Sequence, residues 1–305
     1  MVTAPHNVAE AESSFEYEFV DSWARPPLWW KVWNPSDMAI DSAGRFFVLD
    51  RGPHPVLVFD SHGDFITSWG EGLFRVPHGL YIDRQDCVYV ADCATHLVSK
   101  FTLDGKILKE FGTRDLPSAA FYGEPFNQPT GVAVGPSGCM YVSDGYGNFK
   151  VQKFGPDGTF LKSWGRQGDG PGEFALVHNI DVDEEERVYV CDRENRRVQI
   201  FDADGKYLAE WGGLRLPVDV KVKGELVYVP EEGNDWATSG TRYGPSGMSI
   251  FTREGRLLAR WKEGERGTKG MVNLHGIAVD SDDNLYVTQL IYDPRIFKFR
   301  RSRPR

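Results

Sequence analysis

Apolar and polar residues alternate along most of the chain in short runs, and the runs return at a regular interval. Six stretches share an alternating segment, a turn, and a second apolar segment. They read PSDMAIDSAGRFFVLD, PHGLYIDRQDCVYVAD, PTGVAVGPSGCMYVSD, VHNIDVDEEERVYVCD, PVDVKVKGELVYVPEE and LHGIAVDSDDNLYVTQ. Alternation with a period of two predicts half-buried β-strands, whereas an amphipathic helix needs an apolar residue every three or four positions. The pattern therefore predicts strands through nearly the whole chain.

The copies continue with a third strand ending in Phe, an acidic-Gly hairpin and a fourth strand, as in VLVFDSHGDFITSWG and VQIFDADGKYLAEWG. A unit of four short strands that recurs about every forty to fifty residues is typical of the blades of a propeller. We predict an all-β, six-bladed β-propeller of NHL-type repeats, in a single domain over residues 1–305. Its blades are expected to start near residues 35, 77, 129, 177, 217 and 274.

The sixth copy stops after IFKF and lacks its fourth strand. The N-terminal stretch FEYEFVDSW has the pattern of such a strand without a blade of its own. We expect Phe15 to Trp23 to close blade six, so that no sheet edge stays open there. The Trp residues that end several fourth strands are interpreted as packing between blades and not as functional residues.

Composition narrows the range of partners. The formal net charge of −9 argues against nucleic-acid binding, which needs basic patches. No apolar run approaches the roughly 20 residues of a membrane span, and no secretory signal is evident. The four cysteines lack metal-finger spacing and are expected to be reduced. We expect a cytoplasmic protein with a small anionic substrate and no membrane partner; its oligomeric state is left open.

Three histidines stand at one aligned position of the repeat. His78, His178 and His275 follow the first residue of the inner strand in copies two, four and six. Alternate blades of a six-bladed ring are roughly 120° apart about the axis, so the three imidazoles should converge in the central channel. This arrangement predicts a zinc site with three protein ligands and one open position, although another divalent ion that accepts imidazole remains possible from sequence.

Loops above the same channel mouth supply charged and hydroxyl groups. Arg51, Tyr146 and Arg193 follow the second strands of blades one, three and four. Two guanidiniums beside a metal would bind a carboxylate, and a tyrosine beside these charges is expected to ionise below its ordinary pKa near 10 and act as a base. The alternative is that the arginines pair with the adjacent Asp50 and Asp192.

The segments RGPHP, PHGL, SDGYGNFKVQKF, HNIDVD, DRENRRVQIF and LHGI resemble the catalytic core of the peptidyl-α-hydroxyglycine α-amidating lyases, which are NHL-repeat propellers. The resemblance implies a zinc ion held by His78, His178 and His275. It implies catalytic roles for Arg51 and Tyr146. It also places Arg193 near the substrate. The family reaction cleaves the C–N bond of a carbinolamide and releases an amide and glyoxylate.

Three positions depart from the family pattern. Asn273 replaces a methionine near the metal, which makes that side of the pocket polar. Gly276 replaces an acidic residue that helps to hold a structural calcium, so calcium is not expected by that route. Gly147 replaces a cysteine, which removes one disulfide. With no fused monooxygenase domain or export signal in the sequence, a neuropeptide-type substrate is not expected.

The leading hypothesis is a zinc-dependent lyase acting on a small α-hydroxy or hemiaminal-like acid. A zinc-dependent hydratase or hydrolase and a non-catalytic NHL propeller that binds a protein or ligand remain as alternatives. The blade-five insert EEGNDWATSGTRYGPSG predicts a lid or a solvated spacer, with Trp236, Arg242 and Tyr243 as candidate substrate contacts. The segment RPPLWWKVWNP is expected to cover a rim or to pack there.

Overall fold

The computed structural model describes residues 15–119, 125–233, 245–265, 268–291 and 293–302. These ranges form strands and no helix. Blades one and two contain β2 (Pro35–Ile40), β3 (Phe46–Asp50), β4 (Val56–Phe59), β5 (Phe65–Trp69), β6 (Pro77–Ile82), β7 (Val88–Asp92), β8 (Leu97–Phe101) and β9 (Ile107–Phe111). Blades three and four contain β10 (Pro129–Val134), β11 (Met140–Asp144), β12 (Lys150–Phe154), β13 (Phe160–Trp164), β14 (Val177–Val182), β15 (Val188–Asp192), β16 (Arg197–Phe201) and β17 (Tyr207–Trp211).

Blades five and six complete the ring. They contain β18 (Lys221–Lys223), β19 (Leu226–Glu231), β20 (Gly247–Thr252), β21 (Leu257–Lys262), β22 (Leu274–Val279), β23 (Leu285–Gln289), β24 (Arg295–Arg301) and β1 (Tyr17–Val20). The strands pair in six antiparallel sheets of four, each in chain order from the inner strand outward except the last. This arrangement confirms the predicted six-bladed β-propeller.

The last sheet contains both ends of the described chain. Its order is β1-β24-β23-β22, so the N-terminal strand is the outer strand of blade six. In the register of this pair, Tyr17 faces Arg301 and Phe19 faces Phe299. The strand Tyr17–Val20 is shorter than the predicted Phe15 to Trp23, and it ends at Val20 because the chain turns at residues 21–22, with Ser22 at a φ of 55°. The N-terminal strand nevertheless closes blade six, as the sequence predicted.

The core lies between blades. Each of the six clusters of buried apolar side chains is built mainly from two neighbouring blades. The tryptophan that ends a fourth strand covers the hairpin glycine of the next blade. A Cβ at Gly105 would lie 2.6 Å from Trp69, and one at Gly205 would lie 2.5 Å from Trp164. Both glycines also have a left-handed φ, so the Trp and Gly positions of the repeat constrain each other.

A repeated hydrogen bond fixes the start of each inner strand. The acidic or amide residue that ends the second strand accepts backbone N–H groups from the residues just before the inner strand. Asp50, for example, accepts from Asn34 at 2.6 Å and from Trp33 at 3.2 Å. The residues that carry out this role are Asp50, Asp92, Asp144, Asp192, Glu231 and Gln289. This bond ties the segment that precedes the inner strand to the second strand of the same blade.

Blade five departs from the regular pattern. Its inner strand β18 starts at Lys221, four residues after the predicted start, and Pro217 forms only an isolated bridge with Glu231. The insert residues Trp236, Arg242 and Tyr243 lie outside the described residues. In the described ranges there is no helix that is long and apolar enough to cross a membrane.

Closure of the ring generates a stability prediction. Tyr17 is buried and stacks on Trp261 with ring centroids 5.5 Å apart. Tyr17→Ala should lower the free energy of unfolding by about 3 kcal/mol, because it removes a large buried ring and leaves a cavity. Urea denaturation followed by tryptophan fluorescence measures this change.

The matched control is Glu18→Ala on the same strand. Glu18 is exposed and lies 3.7 Å from Arg300, and an exposed ion pair of this kind contributes less than about 1 kcal/mol. Equal effects of the two substitutions would contradict a stabilising role for the closing strand's buried face.

Candidate metal centre

The three aligned histidines meet in the central channel. His78 lies on β6, His178 on β14 and His275 on β22, and all three side chains are buried. One ligand nitrogen from each lies within 4.8 Å of the others. The ring centroids are 4.6 to 4.8 Å apart in every pair. The structure thus brings together the three residues that the repeat alignment singled out.

One ring nitrogen of each histidine is held by the neighbouring blade. The Nδ1 atoms lie 2.5 to 2.7 Å from backbone carbonyl oxygens. The acceptors are Thr130 for His78, Val218 for His178 and Ser36 for His275, which occupy the histidines' own repeat position in blades three, five and one. Because a carbonyl can only accept, each Nδ1 carries the proton in the hydrogen-bonded ring. Each neutral imidazole then has a lone pair on Nε2.

The surroundings keep these imidazoles neutral. Burial lowers the pKa of His78, His178 and His275 well below the ordinary value, and the positive charges of Arg51 and Arg193 add to the effect at His178 and His275. A neutral imidazole is the form that binds a metal. A backbone acceptor on the second nitrogen is the usual support of a metal-binding histidine. The donor set therefore fits a divalent ion that prefers nitrogen ligands.

Tyr146 lies directly above two of the histidines. Its hydroxyl oxygen is 2.8 Å from Nε2 of His78 and 3.2 Å from Nε2 of His178. The residue is 38% exposed at the channel mouth, but its hydroxyl points inward to the histidines. Burial raises the pKa of Tyr146 to about 12, although Arg193 and Arg51 act in the opposite direction. The surrounding protein groups thus raise the pKa of Tyr146, whereas the sequence predicted that they would lower it.

Arg51 lies beside the three histidines and has no carboxylate partner in the described part of the chain. Its Nε–H donates to the carbonyl of Pro77 at 3.1 Å. Within the described ranges no Asp or Glu forms an ion pair with it, since Asp50 accepts backbone N–H groups instead. The predicted alternative of an Arg51–Asp50 pair is therefore wrong. The Arg51 guanidinium is available for an anion.

Arg193 has different partners from Arg51. Its guanidinium lies 2.8 Å from Oε1 of Glu194 and 3.6 Å from Oε2 of Glu232. Asp192, the predicted alternative partner, instead contacts Arg197 at 2.9 Å. Two carboxylates thus offset the charge of Arg193, so the two arginines are not equivalent as anion-binding groups.

Glu232 is the site residue that the sequence interpretation missed. It occupies the same repeat position in blade five as Arg51 and Arg193 occupy in blades one and four. Its side chain is nearly buried, and its charge contributes to the raised pKa of Tyr146. Aligning all six copies at this position, and not only the histidine position, would have identified it.

The remaining predicted site residues lie nearby or outside the described chain. Asn273 is buried beside His275 with a φ of 58°, and its side-chain amide donates to the carbonyl of Leu290 at 3.5 Å. A Cβ at Gly276 would lie 2.5 Å from Oδ1 of Asp37, so a larger residue there would need this carboxylate to move. All four cysteines are free.

Comparisons with known proteins agree with this architecture. A family model described as a 6-bladed beta-propeller (DUF5128) matches residues 129–303, and an NHL repeat model matches residues 74–101. Virginiamycin B lyase from Staphylococcus aureus has a similar fold, with a TM-score of 0.60 and 15% identity over 94% of this chain and 88% of that chain. At that identity the likeness concerns the fold alone.

Two curated relatives have higher sequence identity. Peptidylglycine alpha-amidating monooxygenase of Rattus norvegicus is 31% identical over 65% of this chain and 23% of its own length. Peptidyl-alpha-hydroxyglycine alpha-amidating lyase 1 of Drosophila melanogaster is 28% identical over 88% of this chain and 53% of its own length. The chain thus spans from about a quarter to about half of these relatives. It belongs to the six-bladed β-propeller family with NHL repeats, and its homologues include peptidyl-α-hydroxyglycine α-amidating lyases.

Proposed function

We propose that this protein is a zinc-dependent lyase that cleaves the C–N bond of a small carbinolamide acid, forming an amide and an α-keto or aldehyde acid. The observation that carries the proposal is the convergence of three neutral imidazoles beside Arg51, which has no carboxylate partner among the residues that the structure describes. The fly relative named as an amidating lyase supports the reaction class.

The Nε2 atoms of His78, His178 and His275 would hold the metal. When bound there, zinc supplies a Lewis acid that lowers the pKa of a substrate hydroxyl and of neighbouring hydroxyl groups. The backbone carbonyls on Nδ1 keep the three rings in one tautomer and orientation. The protein's part is therefore to present a fixed set of nitrogen donors in a buried channel.

Arg51 would hold the substrate carboxylate. Its guanidinium lies near enough to lower the pKa of all three histidines, and its side chain uses only Nε–H, toward Pro77, for hydrogen bonds to described residues, so that its other N–H groups can donate to a ligand. Arginine binds a carboxylate through two parallel N–H donors, which fixes both position and direction. Binding at Arg51 would place the carbon next to the carboxylate within the histidine site.

Tyr146 would move the proton that the reaction requires. In this lyase reaction the substrate hydroxyl loses a proton, its C–N bond breaks as C=O forms, and the departing nitrogen gains a proton. The Tyr146 hydroxyl lies beside the Nε2 atoms that would hold the metal, so it is placed to donate its proton to the departing nitrogen and to accept the proton of the substrate hydroxyl in exchange. Glu232 and Glu194 would hold the Arg193 guanidinium beside it.

The metal prediction compares the parent with His178→Ala. Elemental analysis of the purified protein should give about one zinc ion per chain in the parent and a loss of most of it in the variant, because two imidazoles bind zinc weakly. His62→Ala removes an exposed turn histidine and should keep the metal. Circular dichroism verifies that each variant is folded. A parent that remains metal-free after zinc is supplied would contradict the proposal.

The proton-transfer prediction concerns Tyr146→Phe. This change removes one hydroxyl from the site and should lower kcat on an α-hydroxyhippurate substrate by about 10²-fold to 10⁴-fold, the usual contribution of a general acid–base group. Zinc content should stay unchanged, since the three imidazoles remain. A variant with the parent's kcat would exclude Tyr146 from proton transfer.

Product analysis in ¹⁸O-labelled water separates a lyase from a hydrolytic enzyme. In the lyase reaction the new carbonyl oxygen comes from the substrate hydroxyl, so glyoxylate trapped immediately by borohydride reduction to glycolate, which retains that oxygen, should contain no label. A hydrolytic reaction incorporates oxygen from the solvent. Label in the amide or in the promptly trapped acid would overturn the lyase proposal.

A further inference from the structure

Three exposed apolar side chains lie at the channel mouth around Arg51. Trp33 is 60% exposed, Val76 36% and Ile291 42%. We call this set the mouth wall. Other exposed large apolar residues lie on outer strands, as Leu161 does on β13, where a propeller normally meets solvent, or in other connecting segments, as Leu28 and Leu116 do. The mouth-wall residues lie in rim segments next to β2, β6 and β23, so strand packing does not account for them.

Backbone hydrogen bonds connect the mouth wall to Arg51. The Arg51 N–H donates to the carbonyl of Asn34, the residue after Trp33. The Ile291 N–H donates to the side-chain oxygen of the same Asn34 at 2.9 Å. Val76 immediately precedes Pro77, whose carbonyl accepts a hydrogen bond from the Arg51 side chain. The three apolar residues therefore adjoin the groups that position the guanidinium.

Trp33 is held rigidly despite its exposure. Its backbone N–H donates to Asp50 at 3.2 Å. Its indole lies against Gly52, where a Cβ would come within 2.7 Å of Trp33 Cδ1, so the glycine permits this close approach. Farther out, Trp30 stacks on His54 at 3.8 Å and fixes the same segment. A rigid aromatic surface binds an apolar group at little conformational cost.

The opposite side of the mouth is charged. Arg193, Glu194 and Glu232 form ion pairs there, on blades four and five. Among the described residues, the mouth thus combines a cation that has no carboxylate partner, Arg51, with an adjoining apolar surface, and the charge of Arg193 is already offset by Glu194 and Glu232. This combination matches a ligand that has a carboxylate at one end and an apolar chain at the other.

We propose that the mouth wall binds the acyl group of the substrate, and that Trp33 selects carbinolamide acids with long or aromatic acyl groups. The proposal rests on the proposed function in one respect, the placement of the carboxylate on Arg51. With the carboxylate held there, an acyl chain leaving the histidine site passes over the adjoining Trp33. Transfer of each methylene from water to this surface strengthens binding by up to about fourfold.

The test is a binding series that does not depend on turnover. N-acylglycines from N-acetylglycine to N-octanoylglycine lack the carbinol hydroxyl, and isothermal titration calorimetry gives their Kd on the zinc-loaded protein. In the parent, Kd should fall by about twofold to fourfold per added methylene. In Trp33→Ala the fall should be less than about 1.5-fold per methylene, with the Kd of N-acetylglycine within about twofold of the parent's.

Two further variants control the series. Leu161→Ala removes an exposed apolar side chain on an outer strand and should keep the parent's dependence on chain length. Arg51→Gln should weaken all members by a similar factor, because it removes the carboxylate contact. No dependence on chain length in the parent, or the same dependence in Trp33→Ala, would overturn the proposal. If the parent protein shows the dependence on chain length but cleaves no carbinolamide, the mouth-wall proposal stands and the proposed lyase function is wrong.

Discussion

The hydrogen bond from each histidine Nδ1 to a carbonyl of the next blade is the interaction on which the site depends. It fixes the tautomer, the ring orientation and the direction of the free nitrogen together. The acceptors belong to the three blades that carry no channel histidine. All six blades therefore contribute to the three-histidine cluster: three supply the imidazole side chains, and three supply the backbone carbonyls that accept their hydrogen bonds. A ring with one blade displaced could not maintain this alternation.

The packing of the blades provides the rigidity that this alternation needs. Tryptophans that end the outer strands cover hairpin glycines of the following blade, and the N-terminal strand completes blade six. Asp50 and its counterparts tie each rim segment to its own second strand. Folding thus places the site groups before any ligand binds, which is the preorganisation that the proposed catalysis would need. Burial then keeps the imidazoles neutral and the Tyr146 hydroxyl protonated.

Much of this arrangement follows from the period of the sequence. Alternation and repeat length identified the propeller, and one aligned position identified His78, His178 and His275. The period did not predict which charged groups at the channel rim contact one another, because these contacts depend on where each loop turns. Asp50 accepts backbone groups and Arg193 pairs with Glu232 from another blade, whereas adjacency in sequence suggested Asp50 and Asp192 as partners. The raised pKa of Tyr146 reflects the depth of its hydroxyl, which no sequence pattern encodes.

The most direct test of the metal centre is anomalous diffraction at the zinc absorption edge from crystals of the zinc-loaded protein. Our account predicts one strong peak on the channel axis, about 2.0 to 2.1 Å from Nε2 of His78, His178 and His275. The Nδ1 atoms should retain their carbonyl partners. Zinc absent from this point, or bound through Nδ1 with the carbonyl hydrogen bonds broken, would contradict it.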